Sequence, residues 1–253
     1  MRDYKVETEK RVEFIRKMLE ESGASGIIFG NSGGKDSVLV GILCKMACDD
    51  TVGLIMPCTS SCNYGDDMAD ALMISKLFRI EKRMVDLTKT AATLKKALSD
   101  ATTMTASAEA NIAPRLRMTS LYAVAATENR LVAGTGNKSE RHMGYFTKWG
   151  DGAFDFNPIA DLTVTEIYKF LTYLDVPKRI INKAPSACTR LLLIPWSLLL
   201  ALQDRRKRKP PIPAHTRRAI PLKEPIILPL AGQGRQIPRA FPACPELLPI
   251  HYR

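Results

Sequence analysis

The chain has 253 residues, enough for one large domain or two small ones with a sizeable buried core. Nowhere does it hold the roughly 18 consecutive apolar residues a helical membrane span requires. Its charged opening, MRDYKVETEKRVEF, lacks the apolar stretch of a secretory signal, so a cytoplasmic protein without membrane contact is expected. The net charge of +11 suggests a nucleic-acid binder until it is located: residues 188–253 carry 12 Lys/Arg against 3 Asp/Glu, whereas residues 1–187 carry 25 against 23. The body is nearly neutral, and no specific nucleic-acid partner is expected.

In chain order, Val12, Ile15, Met18 and Leu19 mark one face of a first helix. GIIFG (26–30) reads as a short buried strand, followed by a glycine turn and the apolar helix VLVGILCKMA. TVGLIMP (51–57) is a second strand, DDMADALMISKLF a helix, and KRMVDL (82–87) a third strand. A helix-rich stretch follows, with Met118, Leu121, Tyr122 and Ala125 on one face, before a fourth strand in NRLVAGT (129–135). Thr163-Val-Thr-Glu166 has the form of a capping box, opening a helix with Ile167, Phe170, Leu171 and Leu174 inward. Strands separated by helices of this length imply an α/β fold with a doubly wound parallel sheet and helices on both faces.

Beyond residue 187 the pattern stops. Five prolines occur up to that point and 11 in the 66 residues after it, too dense for sheet or helix. Pro195 interrupts the one apolar run there, LLLIPWSLLLAL. The expected division is a domain at 1–187 and a Pro/Arg-rich tail at 188–253. The six cysteines fit neither a disulfide framework nor a zinc site, because residues 1–187 contain a single histidine, His142.

The chemistry is concentrated in Ser32-Gly33-Gly34-Lys35-Asp36-Ser37, where the first strand meets its helix. Two glycines let successive backbone N–H groups turn inward as an anion nest, and the helix that follows aims its positive end at the same point. Asp36 beside phosphates calls for a divalent cation between them, so the loop implies a magnesium nucleotide. It is neither a Walker A loop nor a G-x-G-x-x-G fingerprint.

SGGKDS resembles the pyrophosphate-binding loop of the N-type ATP pyrophosphatases, whose members split ATP between its α and β phosphates. NIAPRLRM (111–118), GTGNKSE (134–140), FTKWGDGAFDFNPIADLT (146–163) and KAPSA (183–187) resemble, in order, the signatures of the NAD synthetase family. The resemblance covers residues 30 to 187 and implies a Rossmann-like, adenine-nucleotide alpha-hydrolase-like fold. Carried over position by position, it implies that Gly30, Asn31, Ser32, Gly33, Gly34, Lys35, Asp36 and Ser37 hold ATP, with Thr135 and Ser186 as further contacts. Asp36 and Glu140 would ligate Mg2+, and Arg115, Lys148 and Asp155 would bind deamido-NAD. It also implies a homodimer, with deamido-NAD, ATP and ammonia as substrates. The first strand already begins at residue 26, too early for a glutaminase domain of ordinary size before it, so free ammonia, or ammonia handed over by a separate partner, is expected. No catalytic acid or base is assigned.

Two departures stand out. Val164 occupies a position where the family often has a lysine contacting ATP. After residue 187 the family's acidic loop, further helix and C-terminal His-Lys pair are replaced by the tail, the pattern a frameshifted translation of the gene end produces; such a tail is expected to be poorly ordered, and synthetase activity to be impaired by the loss of those substrate contacts. Two other readings stay open: another N-type ATP pyrophosphatase acting on tRNA, and a nucleotide-binding protein without turnover.

Overall fold

A computed structural model of the chain describes residues 2–58 and 65–183, all within the unit Met1–Ile194. The segment 184–187 with Ser186, and everything expected of the tail at 188–253, lie outside the described residues.

The first helix, α1 (Tyr4–Ser22), starts at Asp3, whose carboxylate accepts the N–H groups of Lys5 and Val6, and stops at Gly23 in the left-handed conformation. Strand β1 (Gly26–Gly30) leads into α2 (Lys35–Ala47), then β2 (Thr51–Ile55), α3 (Asp66–Leu77) and β3 (Glu81–Met84). Helices α4 (Thr88–Ser99), α5 (Ala106–Ala110) and α6 (Ile112–Glu128) follow, before β4 (Arg130–Ala133) and α7 (Lys138–Met143). The described chain closes with α8 (Val164–Tyr173) and α9 (Lys178–Ile181).

The four strands are parallel in the order β3-β2-β1-β4. Along β1 the side chains alternate faces: Ile27 and Phe29 enter one core and Ile28 the other. The first core is closed by Ile15 of α1, Leu39 and Leu43 of α2, Ile74 of α3 and Phe170 of α8. The second packs Val52, Leu54 and Val132 against Ala91 of α4 and Ala125 of α6. Layers on both faces explain why β1 and β2 read as continuous apolar runs rather than alternating ones.

Strand β3 is the exception. It is an edge strand with Glu81, Lys82 and Met84 exposed, and its charges guard the open edge. The strand expected over 82–87 is assigned only to Met84, yet its bonding to the second strand's path continues: Val85 N–H donates to Ile55 C=O and Leu87 N–H to Pro57 C=O, each at 2.9 Å. The capping box forms as expected, with Glu166 accepting the Thr163 N–H at 2.8 Å and Thr163 accepting the Glu166 N–H at 3.4 Å.

Candidate active site

From β1 the chain steps outward through β2 to β3, then returns to place β4 on the other side of β1. The connections leaving β1 and β4 therefore diverge, opening a crevice at the carboxyl ends of these two strands, where open α/β sheets bind ligands. The loop 31–34 leaves β1 there, and residues 134–137 leave β4 beside it.

The loop is shaped by its own side chains. Asn31 is buried; its Oδ1 accepts the Gly33 N–H at 3.2 Å, and its Nδ2 donates to Ser75 Oγ at 3.1 Å. Gly33 has φ of +71°, and a Cβ there would lie 2.3 Å from the Asp67 carbonyl oxygen, so only glycine fits. Ser32 Oγ accepts from the Gly34 N–H, and the Ser37 hydroxyl reaches the Gly34 carbonyl at 2.9 Å. Both hydroxyls expected to face a nucleotide thus also fix the turn. Gly34 caps α2 without a side chain, and the first intrahelical bond there runs from Val38 N–H to Gly34 C=O. The first-turn N–H groups receive nothing from the cap residue, which leaves them for an anion.

Asp36, the second residue of α2, is drawn toward β4. Its Oδ1 accepts from Asn137 Nδ2 at 3.1 Å, and its Oδ2 pairs with Lys35 Nζ at 2.7 Å. Asn137 is fully buried and caps α7: it accepts the Glu140 N–H at 3.0 Å while Glu140 Oε2 accepts the Asn137 N–H at 3.0 Å. One asparagine therefore joins Asp36 to the helix carrying Glu140. Burial, then the Asp36 charge, push the Glu140 carboxyl up to about 7, against the opposing pull of the Asn137 N–H and Lys35. Two carboxylates from different helices, one reluctant to ionise beside the other, form a hard-oxygen set that suits a small divalent cation. The Lys35 ammonium, mostly buried, supplies the positive charge between them. Thr135 lies half-buried between β4 and Asn137.

Arg115, Lys148 and Asp155 occupy a neighbouring region. Thr147 Oγ1 donates to Asn111 Oδ1 at 2.7 Å, docking the 147–150 loop on the start of α6. There Arg115 Nε donates to the Lys148 carbonyl at 3.3 Å, and Lys148 Nζ stands 5.7 Å from the centroid of the exposed Trp149 ring. Asp155 lies along β4, its N–H on the Val132 carbonyl at 2.9 Å. Its Oδ2 accepts the Val132 N–H at 2.7 Å and its Oδ1 the Tyr122 hydroxyl at 3.1 Å, so this carboxylate also holds the sheet edge to α6. Burial, followed by Asp155, pushes the Tyr122 hydroxyl up to about 12. Among the described residues no hydrogen bond or ion pair links these three to the loop 31–34.

Sequence reasoning missed Asn137, although Asn137-Lys-Ser-Glu140 has the same four-residue capping pattern as the box read at Thr163. It also missed Arg117, whose Nε donates to the Met56 carbonyl at 3.1 Å, just past the carboxyl end of β2. Among the described residues no cluster of three His, Cys, Asp or Glu side chains forms a metal site, and no helix is long and apolar enough to cross a membrane.

The sequence profile of the NAD synthase family matches residues 7–192. An NH(3)-dependent NAD(+) synthetase of Carboxydothermus hydrogenoformans is 46% identical over 188 residues, spanning 73% of this chain and 76% of that one. Among solved structures, the NMN synthetase of Francisella tularensis superposes with a TM-score of 0.69 at 34% identity, covering 74% of this chain and 76% of the other. The NH3-dependent NAD synthetase of Campylobacter jejuni, in complex with a nitrate ion, gives 0.68 at 32% identity and covers 82% and 86%. With its loop and two carboxylates at the switch point of such a sheet, the chain belongs to the NAD synthase family.

Proposed function

We propose that the chain makes NAD from deamido-NAD, ATP and ammonia. The deamido-NAD carboxylate oxygen attacks the α-phosphorus of ATP, forming the acyl-adenylate as pyrophosphate leaves. Ammonia then attacks the acyl carbon, loses a proton and expels AMP. The observation that carries this reading is the union, through Asn137, of the phosphate loop on α2 with Glu140 on α7 across the crevice. In it, residues 30–37 and Thr135 hold ATP, with Ser186 as a further contact, and Arg115, Lys148 and Asp155 receive deamido-NAD. Asp36 and Glu140 would hold a magnesium ion, which when bound neutralises charge on the departing pyrophosphate. The chain's own task is positioning: the loop N–H groups fix the phosphates while the cationic side chains orient the acceptor.

The deciding experiment measures pyrophosphate release with ATP alone, with deamido-NAD and ammonia, and with nicotinate mononucleotide as acceptor. The mononucleotide arm is included because one similar structure is an NMN synthetase. Release and NAD formation that depend on deamido-NAD support the reading. Release that depends on tRNA overturns it, as does nucleotide binding without release under any condition. We further propose a homodimer working in the cytoplasm, checked by sedimentation and by localisation of the tagged chain. The boundary after residue 187 and the frameshifted origin of residues 188–253 belong to the same reading. The family profile stops at residue 192, close to where composition changes. Translating the coding DNA in the other two frames after codon 187 tests it: recovery of an acidic loop, a helix and a His-Lys pair supports it, and unrelated sequence ends it.

A further inference from the structure

The floor of the phosphate loop is α3. Gly33 lies so close to it that an added Cβ would fall 2.3 Å from the Asp67 carbonyl oxygen and 2.9 Å from the Ala71 nitrogen. Asn31 is bonded to Ser75 of the same helix. The turn that touches Gly33 also carries the carboxylates of Asp67 and Asp70, and these pair with cations from the end of the described chain. Lys183 Nζ stands 2.7 Å from Asp67 Oδ1 and 2.6 Å from Asp70 Oδ2. Arg179 Nε lies 2.7 Å from Asp70 Oδ1, but off the hydrogen-bonding direction, so that oxygen is neutralised without being hydrogen-bonded. Asp70 is 1% exposed. Its hydrogen bonding to a cation thus depends on Lys183. Burial would lower the Lys183 pKa, but Asp67 and Asp70 outweigh it and hold the ammonium charged.

We infer that Lys183 is a positioning residue for ATP: by bridging Asp67 and Asp70 it holds α3 under Gly33 and Asn31, fixing the shape of the phosphate loop. Without Lys183, Asp70 keeps the Arg179 charge beside Oδ1, but Oδ2 loses its hydrogen bond and the bridge to Asp67 is cut; a buried carboxylate oxygen left unbonded draws in water or another partner, and either shift moves the turn beneath the loop. Lys183 touches none of residues 30–37 among the described contacts, so its effect on nucleotide runs through α3. The inference rests on the reading of residues 30–37 as the ATP site.

The test compares the full chain with Lys183→Met, Lys183→Arg and, as a control at a more deeply buried cation elsewhere, Arg11→Met, whose guanidinium ties α1 to Asp161. Equilibrium binding of ATP with magnesium, melting temperature, and amide hydrogen exchange at residues 31–34 and 66–75 are read for each. Lys183→Met is expected to weaken ATP about tenfold or more and to speed exchange at 31–34, because breaking a buried pair strands its partner. Lys183→Arg keeps the charge and should stay within about threefold of wild type, and Arg11→Met should melt earlier with ATP affinity likewise within about threefold. Equal ATP affinity in Lys183→Met and wild type overturns the inference; so does an equal loss in Arg11→Met, which would mean general destabilisation. Should Lys183→Met not fold, Lys183→Gln is read in its place, and wild-type ATP affinity there is likewise fatal. If wild type itself binds no ATP, the function reading fails, and the exchange rates at 31–34 still decide whether Lys183 holds the loop.

Discussion

At Asp36 a single carboxylate answers to two neighbours: Lys35 from its own helix and Asn137 from across the crevice. Asp36→Ala removes one prospective cation ligand without cutting a backbone bond. The expected outcome is loss of magnesium-dependent ATP binding by calorimetry, with the fold retained by circular dichroism and a lower melting temperature, because the buried Asn137 loses its acceptor; unaltered affinity would displace the site. Gly33→Ala should behave differently. Its φ of +71° and the 2.3 Å approach to Asp67 mean that an alanine strains the loop and pushes α3 away. A cost of about 1–3 kcal/mol in stability is expected together with lost ATP binding, read by chemical denaturation. Arg115→Ala should weaken deamido-NAD far more than ATP and leave melting unchanged, since Arg115 is exposed. Asp155→Ala should weaken deamido-NAD and also lower the melting temperature, because Asp155 bonds Val132 and Tyr122. Equal loss of both ligands in both variants would dissolve the division between the two groups.

Among the elements, α8 shows how a local signal and a tertiary one combine. Its capping box fixes the helix start, while Ile167, Phe170 and Leu171 lock it to the first core. Partial burial alone would raise the Glu166 carboxyl, but hydrogen bonds from the Thr163 N–H, Arg2 and the Thr163 hydroxyl outweigh it and hold the group down at about 2. A carboxylate lowered from its ordinary 4.5 contributes stability that is complete above that value and is lost as pH falls toward 2. Glu166→Gln preserves the box but not the titration. Its melting temperature should therefore fall less steeply than wild type between these pH values, and parallel curves would remove Glu166 from the acid response. Helix α7 illustrates the opposite case. With six residues it is too short to announce itself by periodicity, and its importance comes from Asn137 and Glu140 at its first turn.

Over the whole molecule, charge is divided as unevenly as chemistry. The near-neutral body carries the site, and the basic excess lies in residues 188–253. RNA binding should therefore be loose, seen at low salt, and gone at physiological salt, where the Debye length is about 8 Å. Filter binding across a salt series checks this; affinity that survives and prefers one tRNA would favour the tRNA-acting alternative. Removing residues 188–253 should abolish the low-salt binding.

The sequence by itself determined the strand–helix alternation, the buried runs of β1 and β2, the glycine turn between β1 and α2 and the capping box at Thr163, because each is a local pattern whose period or turn chemistry is written in consecutive residues. It also placed the break in composition after residue 187, for charge and proline density need no coordinates. Only the tertiary structure decided the order β3-β2-β1-β4, and with it that the loop and Glu140 share one crevice. Strand order depends on which faces pack, a sum over distant side chains that no window of sequence contains. For the same reason Asn137, 101 residues from Asp36, and Lys183, 113 residues from Asp70, could be found only once the chain had folded back on itself. A hydrogen bond or a buried ion pair selects partners by distance in space, and the sequence records distance only along the chain.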